Sequence, residues 1–414
     1  MKVLLLNQCF YPDGVATAQY LTDLAVELKA RGHDVTVIAS RRAYDNPGDR
    51  FPARETHEGI KIIRIATLGL GKQAKWRRGA NFASFLACCL IRLLFTPRHD
   101  VVVALTSPPL ISFLGSLFVK LKGGRFYFWV MDLNPDEAIV AGWLKENSLT
   151  ARVLRALLQY SLRHSEKVFV LDRFMKQRVG LNGIAPDRLL VVPPWARAAI
   201  SYDEDGRKAF RAEHDLTGKF VVMYAGNHSP CHPLDTLLAA AEGLAVRPEI
   251  VFCFIGGGSE QSRVRRFAAA RNLQNIRCLP YQSPYEPFEQ LSAALSAADM
   301  QVVVMGDPFV GIVHPCKIYN ILTIGAPLLY IGPSPSHVTD ILANMLDGVD
   351  CYSARQGDTD GVSTHILVAI RRNTRVGNAR RISAEFSCAR LLPQMVAAVE
   401  ANPDSLTRPA SANA

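Results

Sequence analysis

The run RFYFWVMDLNPDEA (125–138) places Asp132 at the end of an apolar stretch, with Asp136 and Glu137 following within about a turn of chain. A carboxylate at the carboxyl edge of a parallel strand stands where ligand-binding residues of open α/β sheets collect, and there it can orient a hydroxyl or move a proton. Capping a helix that starts at PDEA would call for the same residue type. Two glycine loops offer groups for an anion. Gly14 in FYPDGVATAQ and Gly226 in YAGNHSPCHP each follow a strand and precede a helix, whose N-terminal N–H groups can receive phosphate oxygens. His228, His232 and His314 can each donate a hydrogen bond, or carry charge when protonated; loop or cap histidines with satisfied hydrogen bonds are the alternative. Asp13 needs no more than the Asp-Gly turn it forms with Gly14. IGGGSE (255–260) lacks the G-x-G-x-x-G spacing, so Gly256 reads either as a close approach of backbone to a ligand or as a strand-ending turn.

The elements that must position these residues occur twice. KVLLLNQCFYPDGVATAQYLTDLAVELKARGHDVTVIAS (2–40) and KFVVMYAGNHSPCHPLDTLLAAAEGLAVRPEIVFCFIGGG (219–258) both run strand, glycine loop, helix, strand. Each is a βαβ opening, which predicts an α/β chain of two Rossmann-like, doubly wound domains facing each other across a cleft. Between the openings lie the strands 60–67, 100–107, 125–132, 167–172 and 188–194, with helices near 109–122, at 148–163 and from Arg173. Strands apolar throughout and alternating with helices signify parallel sheets covered on both faces. Pro193, Pro194 and SYDEDGRK (201–208) mark a boundary, giving a first domain over 1–196, a linker over 197–216 and a second domain over 217–381. The amphipathic stretch 382–401 is expected to return to the first domain, and 402–414 to be an unstructured tail.

A chain of 414 residues that is 49% hydrophobic can bury two cores. Its nine scattered cysteines suit reduced thiols in a cytoplasmic protein, and KVLLL is too short for a signal-peptide core. The net charge of +10 fits nucleic acid, an anionic membrane surface or anionic small molecules. No helix-turn-helix, RNA-binding signature or zinc finger accompanies the charge, which argues against nucleic acid. KQAKWRRGANFASFLACCLIRLLFTPR (72–98) joins a basic, Trp-bearing approach to about 14 mostly apolar residues, short of the ~20 that cross a bilayer. It reads as a helix lying on an anionic membrane face, or as a buried helix with a solvated basic approach.

The loop FYPDGVATAQYLTDLAVELKARGHDVTVI, together with MDLNPDEAIVAGWL (131–144), VVPPWA (191–196), YAGNHSPCHPLDTLLAAA (224–241), HPCKIYNILTIGAPLLYIGP (314–333) and FSCARL (386–391), resembles glycosyltransferase family 4 enzymes of the GT-B fold. Within that family the similarity is to the branch of colanic acid and O-antigen transferases, such as the N-acetylfucosamine transferases. The resemblance implies a retaining transferase that moves a sugar from a nucleotide sugar, UDP-linked, to a lipid-linked or glycan acceptor in envelope polysaccharide assembly. It implies an acceptor-side domain first, a donor-binding domain second, a peripheral place on the inner membrane face, and neither cofactor nor metal.

It also implies site residues. Lys317 falls where the family's helix faces the donor diphosphate. Tyr281 and Gln282 fall where the nucleotide base is framed, with Gly256 close to the nucleotide. The usual Arg and Lys after the glycine of the second domain are replaced by Asn227 and His232, with His228 between them. The two Glu of E-x7-E are replaced by Ile312 and Asn320. Asn320 can still hydrogen-bond a ribose hydroxyl through its amide, and the backbone N–H groups of Gly311, Ile312 and Val313 can hold sugar hydroxyls. In a retaining reaction the departing phosphate accepts the proton, leaving Asp132 to orient the acceptor. A nucleotide-sugar epimerase of the same architecture would need Asp132, Asp136 and Glu137 to converge. The missing charges also leave open a catalytically silent scaffold.

Overall fold

A computed structural model describes residues 1–44, 48–70, 75–197, 199–281, 289–344, 350–372 and 384–401. Gln282, the 402–414 tail and the boundary at 381–382 lie outside the described residues.

The first sheet contains β1 (Lys2–Leu6), β2 (Asp34–Ser40), β3 (Arg54–His57), β4 (Ile60–Ile65), β5 (Val101–Ala104), β6 (Arg125–Trp129), β7 (Lys167–Val170) and β8 (Leu189–Val191). Their order is β3-β4-β2-β1-β5-β6-β7-β8, parallel except for the edge pair of β3 and β4. The second sheet contains β9 (Phe220–Ala225), β10 (Ile250–Ile255), β11 (Ile276–Leu279), β12 (Met300–Val304), β13 (Leu328–Ile331) and β14 (Cys351–Ala354), all parallel, in the order β11-β10-β9-β12-β13-β14. Strands such as IVFCFI and MQVVV are buried at every position because helices cover both faces, so the sequence shows apolar runs and not alternation. Strand order reverses between β1 and β5, and again between β9 and β12. Crevices open at such switch points, and the loops carrying Gly14 and Gly226 leave from them.

Three local expectations are corrected. The polar stretch 201–208 opens the helix Glu204–Glu213, capped by Asp203, whose side chain accepts from the Gly206 N–H at 2.8 Å. Phe210 is buried, and Arg207 and Arg211 pair with Asp299 at 2.5 and 2.8 Å, so much of the expected linker is anchored to the second lobe. The short edge strand RETH was not foreseen, since nothing in it is apolar. Strand β6 stops at Trp129, which leaves Asp132 in the following loop.

The helix Lys75–Leu94 packs Phe85, Cys89 and Leu93 into the first lobe while Trp76, Leu90, Ile91 and Leu94 stay exposed, with Phe95 just beyond it exposed as well. It therefore has one buried face and one apolar face in solvent. Among the described residues no helix is long and apolar enough to cross a membrane. The helix Cys388–Glu400 lies against the helix Ala16–Ala30, and Glu400 meets Arg31 at 3.0 Å and His33 at 2.7 Å.

Candidate active site

Lys317 begins the helix Lys317–Ile324 and sends its side chain toward the loop after β9. Its ammonium nitrogen lies 3.4 Å from the centroid of the Tyr224 ring, and within 3.2 Å of where a Cβ on Gly226 would stand. A side chain at 226 would have to displace it, and the φ of +127° there suits glycine. The residue as a whole is half-exposed, yet Nζ is shut off from solvent and has no hydrogen-bond partner. Desolvation holds the lysine well below its ordinary pKa. A buried ammonium without a counter-ion costs free energy unless an anion arrives to satisfy it.

His228 and His232 flank this nitrogen. Nε2 of His228 and Nδ1 of His232 are buried without partners, while Nδ1 of His228 lies 3.2 Å from the Gly257 carbonyl oxygen. Burial, followed by the charge of Lys317, lowers His228 to about 4 and His232 to about 3. Both are thereby held neutral near pH 7, which leaves hydrogen bonding of the two roles the sequence allowed. A cavity of ≈ 160 Å³ beside them is lined by Ser229, His232, Glu260 and Arg263, among others. Asn227 is exposed, with its side-chain oxygen against Gly258.

The glycine at 256 has a protein reason. A Cβ there would run into the Gly226 carbonyl oxygen, so the two loops cross only because residue 256 is glycine. Tyr281 lies over Gly256 and Gly257, 45% exposed, at the rim where a planar base could stack. Asn320 sits half-buried three residues after Lys317 on the same side of the helix. In the first lobe Gly14 is exposed just before the helix Ala16–Ala30, whose N-terminus has no side-chain cap.

Four expectations for the second lobe change. The N–H groups of Ile312 and Val313 donate to the Phe309 carbonyl oxygen at 2.9 and 3.2 Å, so the turn itself uses them. The Ile312 carbonyl accepts from the Leu133 N–H of the first lobe at 2.9 Å. Gly311, at φ +70°, presses its Cα against the Phe174 backbone of that lobe, leaving 2.7 Å for a Cβ. His314 is spent between the lobes, with Nδ1 2.7 Å from Asp172 Oδ2 and Nε2 2.7 Å from the Tyr319 hydroxyl. Sequence reasoning did not mark Asp172, although it ends an apolar run much as Asp132 does.

His337 stacks on His314 with ring centroids 3.8 Å apart and planes 23° from parallel, and its Nδ1 lies 3.8 Å from Asp172 Oδ2. Asp172, His314 and His337 are thus metal-type donors within 4.8 Å of one another. Near-parallel rings keep their in-plane lone pairs from meeting at one point, and Oδ2 already accepts from His314. The cluster fits an interlobe clasp better than a metal centre.

Asp132 belongs to the first lobe, and its charge is felt by Cys316, the residue before Lys317. It does not cap the next helix, Asp136–Val140, whose N-cap is Pro135 without a side-chain bond. Burial, then the charge of Glu137, push Asp132 up to about 8. Glu137 is raised as well by burial; its Oε2 accepts from Asn134 Nδ2 at 2.9 Å and its Oε1 lies 3.8 Å from Cys231 Sγ of the other lobe. Asp136 turns to Arg155 at 3.6 Å, so the three carboxylates do not converge.

Two doubly wound lobes, with parallel-dominated sheets of eight and six strands, have the GT-B architecture. A family model for the glycosyl transferase 4-like domain matches residues 16–195. A protein of Escherichia coli (strain K12), WcaI, assigned by inference as a colanic acid biosynthesis glycosyl transferase, is 26% identical over 341 residues, covering 78% of this chain and 82% of its own. Sucrose-phosphate synthase from Thermosynechococcus elongatus superposes with a TM-score of 0.73 at 16% identity, over 97% of this chain and 98% of its own. Anabaena HepE in complex with UDP-glucose does so with a TM-score of 0.70 at 14% identity, over 97% and 99%. Residues 16–195 thus carry a glycosyl transferase 4-like domain, and the chain as a whole is similar to glycosyltransferases of that family.

Proposed function

We propose that this glycosyltransferase moves a sugar, with retention, from a UDP-linked donor to a lipid-linked or glycan acceptor in envelope polysaccharide assembly. The buried, unpartnered ammonium of Lys317 beside Gly226 carries the reading, because a diphosphate is the anion that the switch point of a doubly wound domain accommodates. The related fold of HepE holds UDP-glucose, and the WcaI description concerns colanic acid biosynthesis.

The bond from the anomeric carbon to the phosphate oxygen breaks, the bond to the acceptor oxygen forms, and the acceptor proton leaves on the phosphate. Negative charge grows on the leaving oxygen, where the Lys317 ammonium and loop N–H groups stabilise it more than in the ground state. Asp132 orients the acceptor hydroxyl. An epimerase is disfavoured by the outward turn of Asp136. The exposed apolar face of Trp76, Leu90, Ile91, Leu94 and Phe95, with Arg77 beside Trp76, suits an anionic membrane that carries the acceptor.

Thermal-shift and calorimetric titration with UDP, GDP, ADP and dTDP tests the reading. UDP is expected to stabilise the parent and not Lys317→Ala. Indifference of the parent to all four nucleotides would return the scaffold reading.

A further inference from the structure

The chain reaches Lys317 through a turn that the other lobe grips at one residue after another. Arg178 Nε donates to the Val310 carbonyl oxygen at 2.7 Å, and Gly311 lies against the Phe174 backbone. The Leu133 N–H donates to the Ile312 carbonyl oxygen at 2.9 Å, and Asp172 meets His314 at 2.7 Å. Pro315 and Cys316 follow, and the helix Lys317–Ile324 then begins with no side-chain cap on its N-terminus. Its first turn is tied down instead by Tyr319, whose hydroxyl lies 2.7 Å from Nε2 of the same His314.

A carboxylate only accepts, so Nδ1 of His314 carries the hydrogen shared with Asp172, and Nε2 is left for the Tyr319 hydroxyl. Each of these side chains is buried, so water is not at hand to replace either bond. Lys317 stands between His314 and Tyr319 in the chain, so the bond that joins those two spans its backbone. From there its ammonium enters a narrow place, 3.4 Å from the centroid of the Tyr224 ring.

We infer that Asp172 is a positioning residue for the donor diphosphate: through His314 and Tyr319 it sets where the helix carrying Lys317 begins, and so where the ammonium stands. The inference rests on the nucleotide-sugar reading above. It gives the first lobe a share in donor binding that passes through side chains and needs no contact with the nucleotide. The neighbouring Arg173–Asp340 pair also joins the lobes, but it ends on the helix His337–Ala343 and has no such path to the lysine.

Titrations of the full chain with UDP and with uridine test this, at a temperature where melting curves show each variant folded. Asp172→Ser keeps a hydroxyl to cap the helix Arg173–Gly180 but is too short to hold His314 as well. Tyr319→Phe leaves the clasp between the lobes and removes only the bond to the helix. Each is expected to weaken UDP about 10-fold, the scale of a charged group misplaced by a fraction of an ångström. Uridine has no phosphate for the lysine, and its affinity is expected to change by less than about twofold. The double variant should bind UDP no more weakly than the weaker single one, because both break one relay. Arg173→Ala is expected to leave both affinities within about twofold of the parent. Unchanged UDP affinity in both single variants, equal losses of UDP and uridine, additive losses in the double variant, or the same loss in Arg173→Ala each overturn the inference with the donor reading intact. A parent that binds no UDP overturns the donor reading itself, and the inference with it.

Discussion

Asp172 of the first lobe and His314 of the second meet at 2.7 Å with both side chains buried, next to the exposed Arg173–Asp340 pair that also joins the lobes. Asp172 Oδ1 also accepts from the Met175 N–H at 2.8 Å, so one carboxylate both caps a helix and clasps the opposite lobe. Opening the cleft at this end must separate the pair.

Asp172→Asn therefore has a defined cost. Asparagine still caps the helix, but it leaves His314 without its carboxylate in a buried site, a change worth about 3 kcal/mol in chemical denaturation. Burial would raise the Asp172 carboxyl, yet the hydrogen bond and charge of His314, then His337 and the Met175 N–H, win and bring it down to about 2. A carboxylate with a depressed folded pKa stabilises above its unfolded value of ~3.9 and ceases to do so as pH falls toward 2. The parent should lose stability over that window and Asp172→Asn should lose less. Parallel acid-denaturation profiles would remove the clasp.

Lys317 has the same pH direction but is a cost where Asp172 is a gain. Its pKa is held down by burial, so as pH falls below about 10.4 the unfolded chain gains a proton that the folded chain refuses, and stability drops until the folded pKa is reached. Lys317→Met removes that cost. It is expected to raise Tm by about 2 °C near pH 7 while abolishing UDP binding. Bound diphosphate favours the ammonium, so UDP titrations in buffers of different ionisation enthalpy should reveal proton uptake in the parent. A Met variant that is less stable and still binds UDP would show that the lysine is structural.

The two lobes were legible because a strand covered on both faces leaves an uninterrupted apolar run, and such runs recur on each side of the chain's midpoint. Lys317 was legible only through its resemblance to a family pattern, since a single Lys in an apolar helix reads equally as a surface residue. The clasp was hidden for a physical reason: Asp172 and His314 are 142 residues apart and meet only when both lobes have formed. The engagement of the Ile312 and Val313 N–H groups follows from one turn at Phe309, which no side-chain pattern encodes. The helix at 204–213 escaped because Phe210 is its only buried residue, and its hold on the second lobe is ionic.

The exposed face of the helix Lys75–Leu94 gives a separable prediction. Leu90, Ile91, Leu94 and Phe95 are 40%, 57%, 56% and 78% exposed, so serine at these positions removes little from the core, which is held by Phe85, Cys89 and Leu93. At about 25 cal/mol per Å² of apolar surface, even partial insertion of such side chains is worth a few kcal/mol. The quadruple variant is expected to lose at least ~10-fold in co-sedimentation with phosphatidylserine-containing vesicles while keeping UDP affinity. Equal vesicle binding by parent and variant would leave this helix as a structural element alone.

Asp132 should separate binding from turnover. It lies on the lobe opposite Lys317 and makes no ion pair among the described residues, so Asp132→Asn is expected to leave UDP affinity within about twofold and lower kcat about 100-fold, assayed with a donor panel and a membrane-lipid extract. Its pKa, raised to about 8 by burial and then by Glu137, gives an independent thermodynamic readout. A carboxyl group held protonated in the folded state contributes stability that is fully present below its unfolded pKa of ~3.9 and drains away as pH rises through 8. Asp132→Asn cannot ionise, so its stability should exceed that of the parent progressively from pH 5 to pH 9. Turnover that survives in the Asn variant would assign the acceptor hydroxyl to another group. A pH–stability curve unchanged by the substitution would show that Asp132 is ionised in the folded chain.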